Sequence, residues 1–129
     1  MREDTKTQQF KRRIYQYVLR LIKFLSKLPN DPVLMELKKQ LTKSGTSVGA
    51  NYFEAISGSS RKDFVNFFTH ALKSANETKF WLALIRDSGL IGSSFLAECN
   101  ELLIETKEIA NIFASSILTL KGKKSRQSQ

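Results

Sequence analysis

Apolar residues recur along this 129-residue chain at alternating steps of three and four positions, in four long stretches separated by short polar breaks. That spacing keeps the apolar side chains on one face of an α-helix, which turns once every 3.6 residues. The stretches span about 8–28, 32–57, 61–87 and 94–120. Because the connections between them are short, they predict an all-α protein, an antiparallel up-and-down four-helix bundle.

Residues that end and begin helices occupy the breaks between the stretches. The predicted ends are Pro29-Asn30, Gly58 and Asp87-Ser88-Gly89. The predicted starts are Asp31-Pro32, Ser60, and Ser93 or Ser94. Residues 1–120 are predicted to form one domain. The basic tail of residues 121–129 is too polar to pack against it and is predicted to be disordered.

Cysteine content and hydropathy narrow the class of protein. Cys99 is the only cysteine, which excludes an intramolecular disulfide and a cysteine-based metal cage. We expect it to be a small core residue in a cytoplasmic protein, where thiols stay reduced. The first ten residues, MREDTKTQQF, lack the pattern of a signal peptide. No apolar run approaches the roughly 20 residues that cross a membrane, so no membrane partner is expected.

Catalytic motifs are missing from the sequence. It contains no phosphate-binding loop, no dinucleotide-binding glycine pattern and no spacing typical of metal ligands. His70 is the only histidine, and its position favours a surface residue of the third helix. We therefore expect a protein that is not an enzyme, with no catalytic residues, no metal and no cofactor.

Residues 44–50 place small side chains where the apolar seam of the second helix should run. Gly45 and Gly49 each cost about 1 kcal/mol relative to alanine inside a helix, so a compensating close approach is expected. We predict a tight helix crossing here; the alternative is a locally weak, kinked helix. The expected facing side chains are either Phe64, Phe67 and Phe68 or Tyr15 and Tyr17.

Asn51 falls on the same seam, where a buried amide needs hydrogen-bond partners. Glu54 lies one turn further along, and Glu77 lies on the third helix. Together these three residues predict a structural polar cluster. The alternative is that Asn51 sits at the edge of the seam and is solvated.

Two segments, QLTKSGTSVGANYFEA and SSRKDFVNFFTHALKSANETKFWLALIRDSG, carry a resemblance to a known family. They resemble the four-helix-bundle proteins described as encoded in intervening sequences of large-subunit ribosomal RNA genes. The resemblance covers about residues 10–120. The chain departs from the pattern at Ala55, where many members have glycine. The matching positions are Gln40-Leu41, 44–50, Asn51, Glu54, 61–64 and 71–77.

That family is similar to the accessory variability protein of diversity-generating retroelements. This relative forms a homopentameric barrel and binds both a reverse transcriptase and nucleic acid. The resemblance therefore implies a homo-oligomeric scaffold or accessory protein, a pentamer, and implies no reaction.

The residues themselves also predict self-association. The first helix is apolar over about half its circumference, and the segment FWLALI at the end of the third helix is apolar nearly all round. These side chains cannot all face the interior of one bundle, and contiguous exposed apolar residues mark interfaces. The alternative is that loops or termini cover them. The predicted oligomer interface comprises Tyr15, Ile22, Phe80, Trp81 and Leu84.

Charge is unevenly distributed along the chain. The formal net charge is +9, the first helix is basic and the fourth is acidic, so the two could pair within or between subunits. The cations predict weak, sequence-nonspecific binding of RNA or DNA. The alternatives are a protein–protein adaptor that docks an acidic partner, such as a nucleic-acid-processing protein, and an ordinary solvated face. The predicted nucleic-acid-binding residues are Arg12, Arg13, Arg20, Lys23, Lys27, Arg61 and Lys62.

Overall fold

The computed structural model describes residues 5–58 and 60–128, with side chains described through residue 122. Four α-helices and one short 3-10 turn make up the secondary structure in this part of the chain. They are α1 (Lys6–Lys27), α2 (Pro32–Ser57), α3 (Arg61–Asp87), the 3-10 turn (Ser93–Phe95) and α4 (Leu96–Ser128). The all-α prediction is confirmed, and except at the end of α4 the helix limits agree within the usual uncertainty of one or two residues.

Side-chain caps fix the helix starts. The Asp31 carboxylate accepts two backbone N–H bonds, and Ser60 Oγ accepts the N–H of Asp63 at 3.0 Å, as predicted. The start of α1 is earlier than predicted because Thr5 and Gln8 form a reciprocal capping box. Each side chain accepts the other residue's backbone N–H, at 3.1 and 3.0 Å.

The C-terminal end of α4 differs from the prediction. The backbone continues as helix to Ser128, so residue 120 is not a helix end. Gly122 does not interrupt the helix. The side chains of 123–128, and residue 129 altogether, lie outside the described part. The domain boundary at residue 121 and the disorder of the tail stay predictions.

The helices form a closed ring. Each helix packs against the next in sequence, and α4 returns to pack against α1, while α1 and α3 are diagonal to each other. This is the arrangement of an up-and-down four-helix bundle. The interior divides into two apolar clusters along the bundle axis: an aromatic one around Tyr52, Phe68 and Phe113, and an aliphatic one around Leu21 and Leu82.

The two glycines of α2 form the predicted close crossing. A Cβ atom at Gly45 would lie 2.2 Å from Leu21 Cδ2, and one at Gly49 would lie 3.1 Å from Val18 Cγ2. Their partner is thus the aliphatic face of α1. Phe64, Phe67 and Phe68 are not the facing side chains; of the α1 set, Tyr15 lines the surface beside Gly49, but neither Tyr15 nor Tyr17 makes the close contact. The helix faces explain the error: Phe68 turns into the aromatic core cluster, and Tyr17 points toward α4.

We expect Gly45→Ala to lower the free energy of unfolding by about 1 kcal/mol. Overpacking a full core costs about 1–3 kcal/mol, which exceeds the gain of about 1 kcal/mol in helix propensity. Urea denaturation measures the change. The control is Gly122→Ala, where a Cβ would have nothing within 4 Å and stability should not fall. The double variant Leu21→Ala/Gly45→Ala should lose less stability than the two single variants added together, because the shorter side chain at residue 21 makes room for the new Cβ. Strict additivity of the two losses would contradict the close crossing.

Candidate interaction surfaces

The cations of α1 form a row of ion pairs with the carboxylates of α4. Lys27 Nζ lies 3.0 Å from Glu98, and Arg13 Nε lies 3.2 Å from a Glu105 oxygen. The hydrogen bond to Glu105 raises the pKa of Arg13 above its ordinary value. Because the two helices are antiparallel, the cations step forward along α1 as their partners step backward along α4. The pairs are Arg13 with Glu105 and Glu108, Arg20 with Glu101, and Lys27 with Glu98.

This α1–α4 ion-pair row changes the interpretation of the basic helix. The paired side chains are between 28% and 63% exposed, so each pair contributes little to stability, about 0–1 kcal/mol. Their main effect is on the surface potential, since carboxylates stand beside three of the seven cations that the sequence assigns to nucleic-acid binding. The pairing of basic and acidic helices occurs within one subunit.

The other four predicted nucleic-acid-binding residues do not extend that row. Arg12 is engaged elsewhere in the chain, and Arg61 reaches the Leu120 carbonyl at 3.4 Å. Lys23 and Lys62 are exposed, the first on α1 and the second at the start of α3. The structure therefore does not join the seven residues into one continuous surface of free cations.

Two pairs of buried hydroxyl groups link neighbouring helices. Tyr17 of α1 and Thr106 of α4 lie 2.6 Å apart, and Thr78 of α3 donates to Ser44 of α2 at 2.9 Å. Thr106 donates its hydroxyl proton to the Leu102 carbonyl, so Tyr17 is the donor in the first pair. The Thr78 oxygen also lies 2.8 Å from the Ser74 carbonyl, and its single proton serves one of these two acceptors at a time. Ser44, Thr78 and Thr106 recur in step with the apolar residues of their helices, which is the signal that the sequence offers for their burial, but the spacing does not indicate which of them pair.

The predicted polar cluster is wrong. Asn51 donates to the Ser47 carbonyl of its own helix at 2.9 Å and is only half-buried, while Glu54 and Glu77 are exposed. The local bond satisfies the amide without a partner from another helix, which is a common solution for short polar side chains within helices.

Four of the five residues predicted at an oligomer interface are exposed. Tyr15 is 60% and Phe80 58% exposed, with Ile22 and Leu84 above one third. Trp81 is half-buried against the aliphatic core cluster, and its ring meets Phe80 edge-on at 4.9 Å. The single bundle thus leaves these side chains uncovered as the sequence predicted.

Four of these residues belong to two separate surfaces, and Ile22 belongs to neither. Tyr15 lies in a shallow apolar groove of about 320 Å³ between α1 and α2. We call it the α1/α2 groove; it is lined by Tyr15, Val18, Thr46, Gly49, Ala50 and Phe53. Phe80 lies on the side of α3 away from the buried core. Together with Trp81 and Leu84 it forms the α3 ridge, which shares no residue with the groove.

Two further concave surfaces are lined by cations. The α2 lysine patch, of about 420 Å³, contains Lys38, Lys39 and Lys43 beside the α1–α2 turn. The α3/α4 groove, of about 250 Å³, contains Lys79, Arg86 and Lys107 around Leu103 and the exposed Ile104.

No catalytic arrangement emerges from the described residues. His70 is exposed on α3. Cys99 is fully buried, its Sγ donates to the Leu82 carbonyl at 3.4 Å, and burial raises its pKa to about 11. The described residues include no group of three or more histidine, cysteine or acidic side chains that could hold a metal ion. None of the described helices combines the length and hydropathy required to cross a bilayer.

Comparison with known proteins agrees with this architecture. Residues 6–113 match the family described as 23S rRNA-intervening sequence protein. A crystal structure of a protein of unknown function from the S23 ribosomal protein family of Bacteroides thetaiotaomicron superposes with a TM-score of 0.70 at 34% identity. The superposition covers 83% of this chain and 96% of that one. No curated protein matches the chain.

The fold thus defines a class of protein: an all-α, up-and-down four-helix bundle. Within that class, the chain belongs to the 23S rRNA-intervening sequence protein family. The resemblance inferred from the sequence segments is confirmed.

The buried Tyr17–Thr106 pair gives a prediction about stability. Thr106→Val removes the nearby hydroxyl and leaves the Tyr17 hydroxyl without a partner, which should cost about 1–3 kcal/mol. Tyr17→Phe should cost less, since Thr106 keeps its bond to the Leu102 carbonyl. The double variant should recover part of the Thr106→Val loss in chemical denaturation. Equal losses in both single variants would contradict this account.

Tyr17 also makes stability depend on alkaline pH. Burial raises the pKa of Tyr17 above its ordinary value of 10.0, with the Thr106 hydrogen bond opposing the shift. Above about pH 10 the unfolded chain loses this proton while the folded chain keeps it, so stability falls as the pH rises further. We expect a slope of up to about 1.4 kcal/mol per pH unit from this group. In Tyr17→Phe the loss of stability between about pH 10 and pH 11 should be smaller by about 1 kcal/mol, because the unfolded tyrosine is only half ionised at the start of this interval; an identical loss would contradict the assignment.

Proposed function

We propose that this protein is a non-enzymatic, homo-oligomeric scaffold that binds nucleic acid weakly and without sequence preference. The single observation that supports it is the pair of apolar surfaces that the lone bundle leaves uncovered. Contiguous exposed apolar residues on a protein surface mark interaction sites. Aromatic anchors such as Tyr15, Phe80 and Trp81 are typical of the energetically dominant residues of interfaces.

A second copy of the chain is the occupant that fits both surfaces. The α3 ridge projects Phe80 and Leu84, which are one helical turn apart. The α1/α2 groove has a floor of Gly49 and Ala50, where large side chains are missing, between the aromatic walls Tyr15 and Phe53. Ridge and groove are different surfaces, so their union is a heterologous contact. Repeated by rotation, such contacts close into a ring, and the family resemblance favours five subunits.

Nucleic acid is the proposed ligand of the assembly. The formal charge of +9 gives each subunit an excess of cations even after the α1–α4 pairs are formed, and a ring multiplies that excess. The matched family is described by reference to 23S rRNA. A ribosomal RNA or a DNA strand in the cytoplasm is consistent with the excess positive charge and with the family description. Without base-reading motifs, binding is to the phosphate backbone and is independent of sequence.

The second candidate function is a protein–protein adaptor, and the α3/α4 groove is the observation that favours it. Its three cations surround an apolar floor, and no carboxylate lines it. That combination suits an acidic amphipathic segment of a partner such as a nucleic-acid-processing protein. The two functions differ in one test: nuclease treatment releases a partner held through nucleic acid and leaves a directly docked partner bound.

We expect the wild-type protein to run in gel filtration with light scattering at a multiple of 14.7 kDa at micromolar concentration. The variant Phe80→Ser/Leu84→Ser should shift toward 14.7 kDa while keeping its helical circular dichroism, because it removes the apolar ridge. The matched control is Ile104→Ser/Leu118→Ser, which removes two exposed apolar residues of α4 and should leave the mass unchanged. A monomeric wild type, or equal dissociation of the control, would remove the proposal.

A further inference from the structure

We propose that the α2 lysine patch is where the backbone phosphates of nucleic acid bind. This inference rests on the proposed function and assigns its site, which differs from the basic face of α1 that the sequence favours. Lys38, Lys39 and Lys43 provide the charge. The ligand is a phosphodiester strand, bound through its phosphates.

Charge neutralisation separates the two basic surfaces. On α1, each of Arg13, Arg20 and Lys27 already has a carboxylate of α4 within ion-pair distance. A phosphate that binds there has to displace a carboxylate or lie beside it, and four glutamates repel it. On the α2 lysine patch, by contrast, no acidic residue is among the lining side chains, and among the described residues only Lys39 has a carboxylate within ion-pair distance, that of Glu36. An incoming phosphate therefore gains more attraction at the patch.

The patch lysines are available to a ligand. Lys43 is exposed and has no ion-pair partner within the described residues. Lys39 pairs with Glu36 at 3.3 Å, but both side chains are 69% exposed, so this contact is worth little and is readily exchanged. Lys39 and Lys43 are one helical turn apart and share a face of α2. Lys38 is only weakly tethered, with its Nζ 3.4 Å from the Leu28 carbonyl.

The chemistry of the lining favours a phosphate strand over a protein partner. Besides the lysines, the patch is lined by Asn30, Thr42 and a single large apolar residue, Met35. Asn30 adds a side-chain amide that can donate a hydrogen bond to a phosphate oxygen. No aromatic ring lines the patch, so bases have nothing to stack on and the strand is held by its backbone.

The patch also fits the proposed assembly. It lies beside the α1–α2 turn and shares no lining residue with the α1/α2 groove or the α3 ridge. Each subunit of a ring therefore presents one copy of the patch outside its interface. Several weak sites on one particle bind a long strand much more tightly than a single site does.

The experiment compares two triple variants that remove the same charge, Lys38→Gln/Lys39→Gln/Lys43→Gln and Arg13→Gln/Arg20→Gln/Lys27→Gln. A labelled oligouridylate single strand is titrated at several salt concentrations from about 50 to 200 mM. We expect the patch variant to bind at least about tenfold more weakly. Its slope of log affinity against log salt should be shallower by about 2, since three phosphate contacts at roughly 0.7 each are lost. The α1 variant should keep the wild-type slope.

Each outcome decides between the claims. If the wild-type protein binds neither the RNA nor a duplex DNA at the lowest salt, the nucleic-acid part of the proposed function fails, and this inference fails with it. If wild type binds and the patch variant keeps its slope, this inference alone is overturned. A polyglutamate peptide that competes as well as the RNA overturns the assignment to phosphate. Unchanged mass and circular dichroism in both variants establish that fold and assembly are intact.

Discussion

The position of α1 depends on the close approach that Gly45 and Gly49 allow. With no side chains at these two positions, Leu21 and Val18 fill the space directly above the α2 backbone. The two glycines lower the intrinsic stability of α2, and the packing they permit is what offsets that cost. On its other side α1 approaches the α4 backbone at fewer points, and long side chains span the gap. Tyr17 does so in the interior and Arg13 and Arg20 do so at the surface.

Most of the fold could be predicted from local patterns. Four helices and their order follow from three local signals: the apolar periodicity, the short polar breaks, and the capping residues Asp31 and Ser60. Each of these signals is encoded within a few neighbouring residues. The capping box at Thr5 and Gln8 has a local sequence pattern as well, a threonine followed three residues later by a glutamine. The close crossing at Gly45 was predictable as well, since glycine inside a helix demands an explanation.

What could not be predicted was which residues meet across the seams. The partners of Gly45 depend on how α1 and α2 rotate about their own axes, and a single sequence does not specify that rotation. The same limit applied to Asn51, whose amide found its bond one turn back along its own helix. The basic character of α1 could be predicted, but its interpretation depended on the neighbouring helix: Arg20 is paired with Glu101 of α4 and is not a free cation. The exposure of some apolar residues was easier to predict, because the interior of a four-helix bundle holds only one face of each helix.

The row of ion pairs between α1 and α4 has a consequence for how the helices are aligned along their length. A slide of α1 by one turn, about 5.4 Å, would carry Arg20 past Glu101 and at the same time pull Leu21 out of the notch above Gly45. The ion pairs with α4 on one side and the steric fit to α2 on the other thus favour the same position of α1 along the bundle axis. The two kinds of interaction respond differently to salt and temperature. A substitution that weakens the contacts on one side of α1 leaves the contacts on the other side to keep the helix aligned. The alignment of α1 therefore tolerates more sequence change than it would if only one side fixed it.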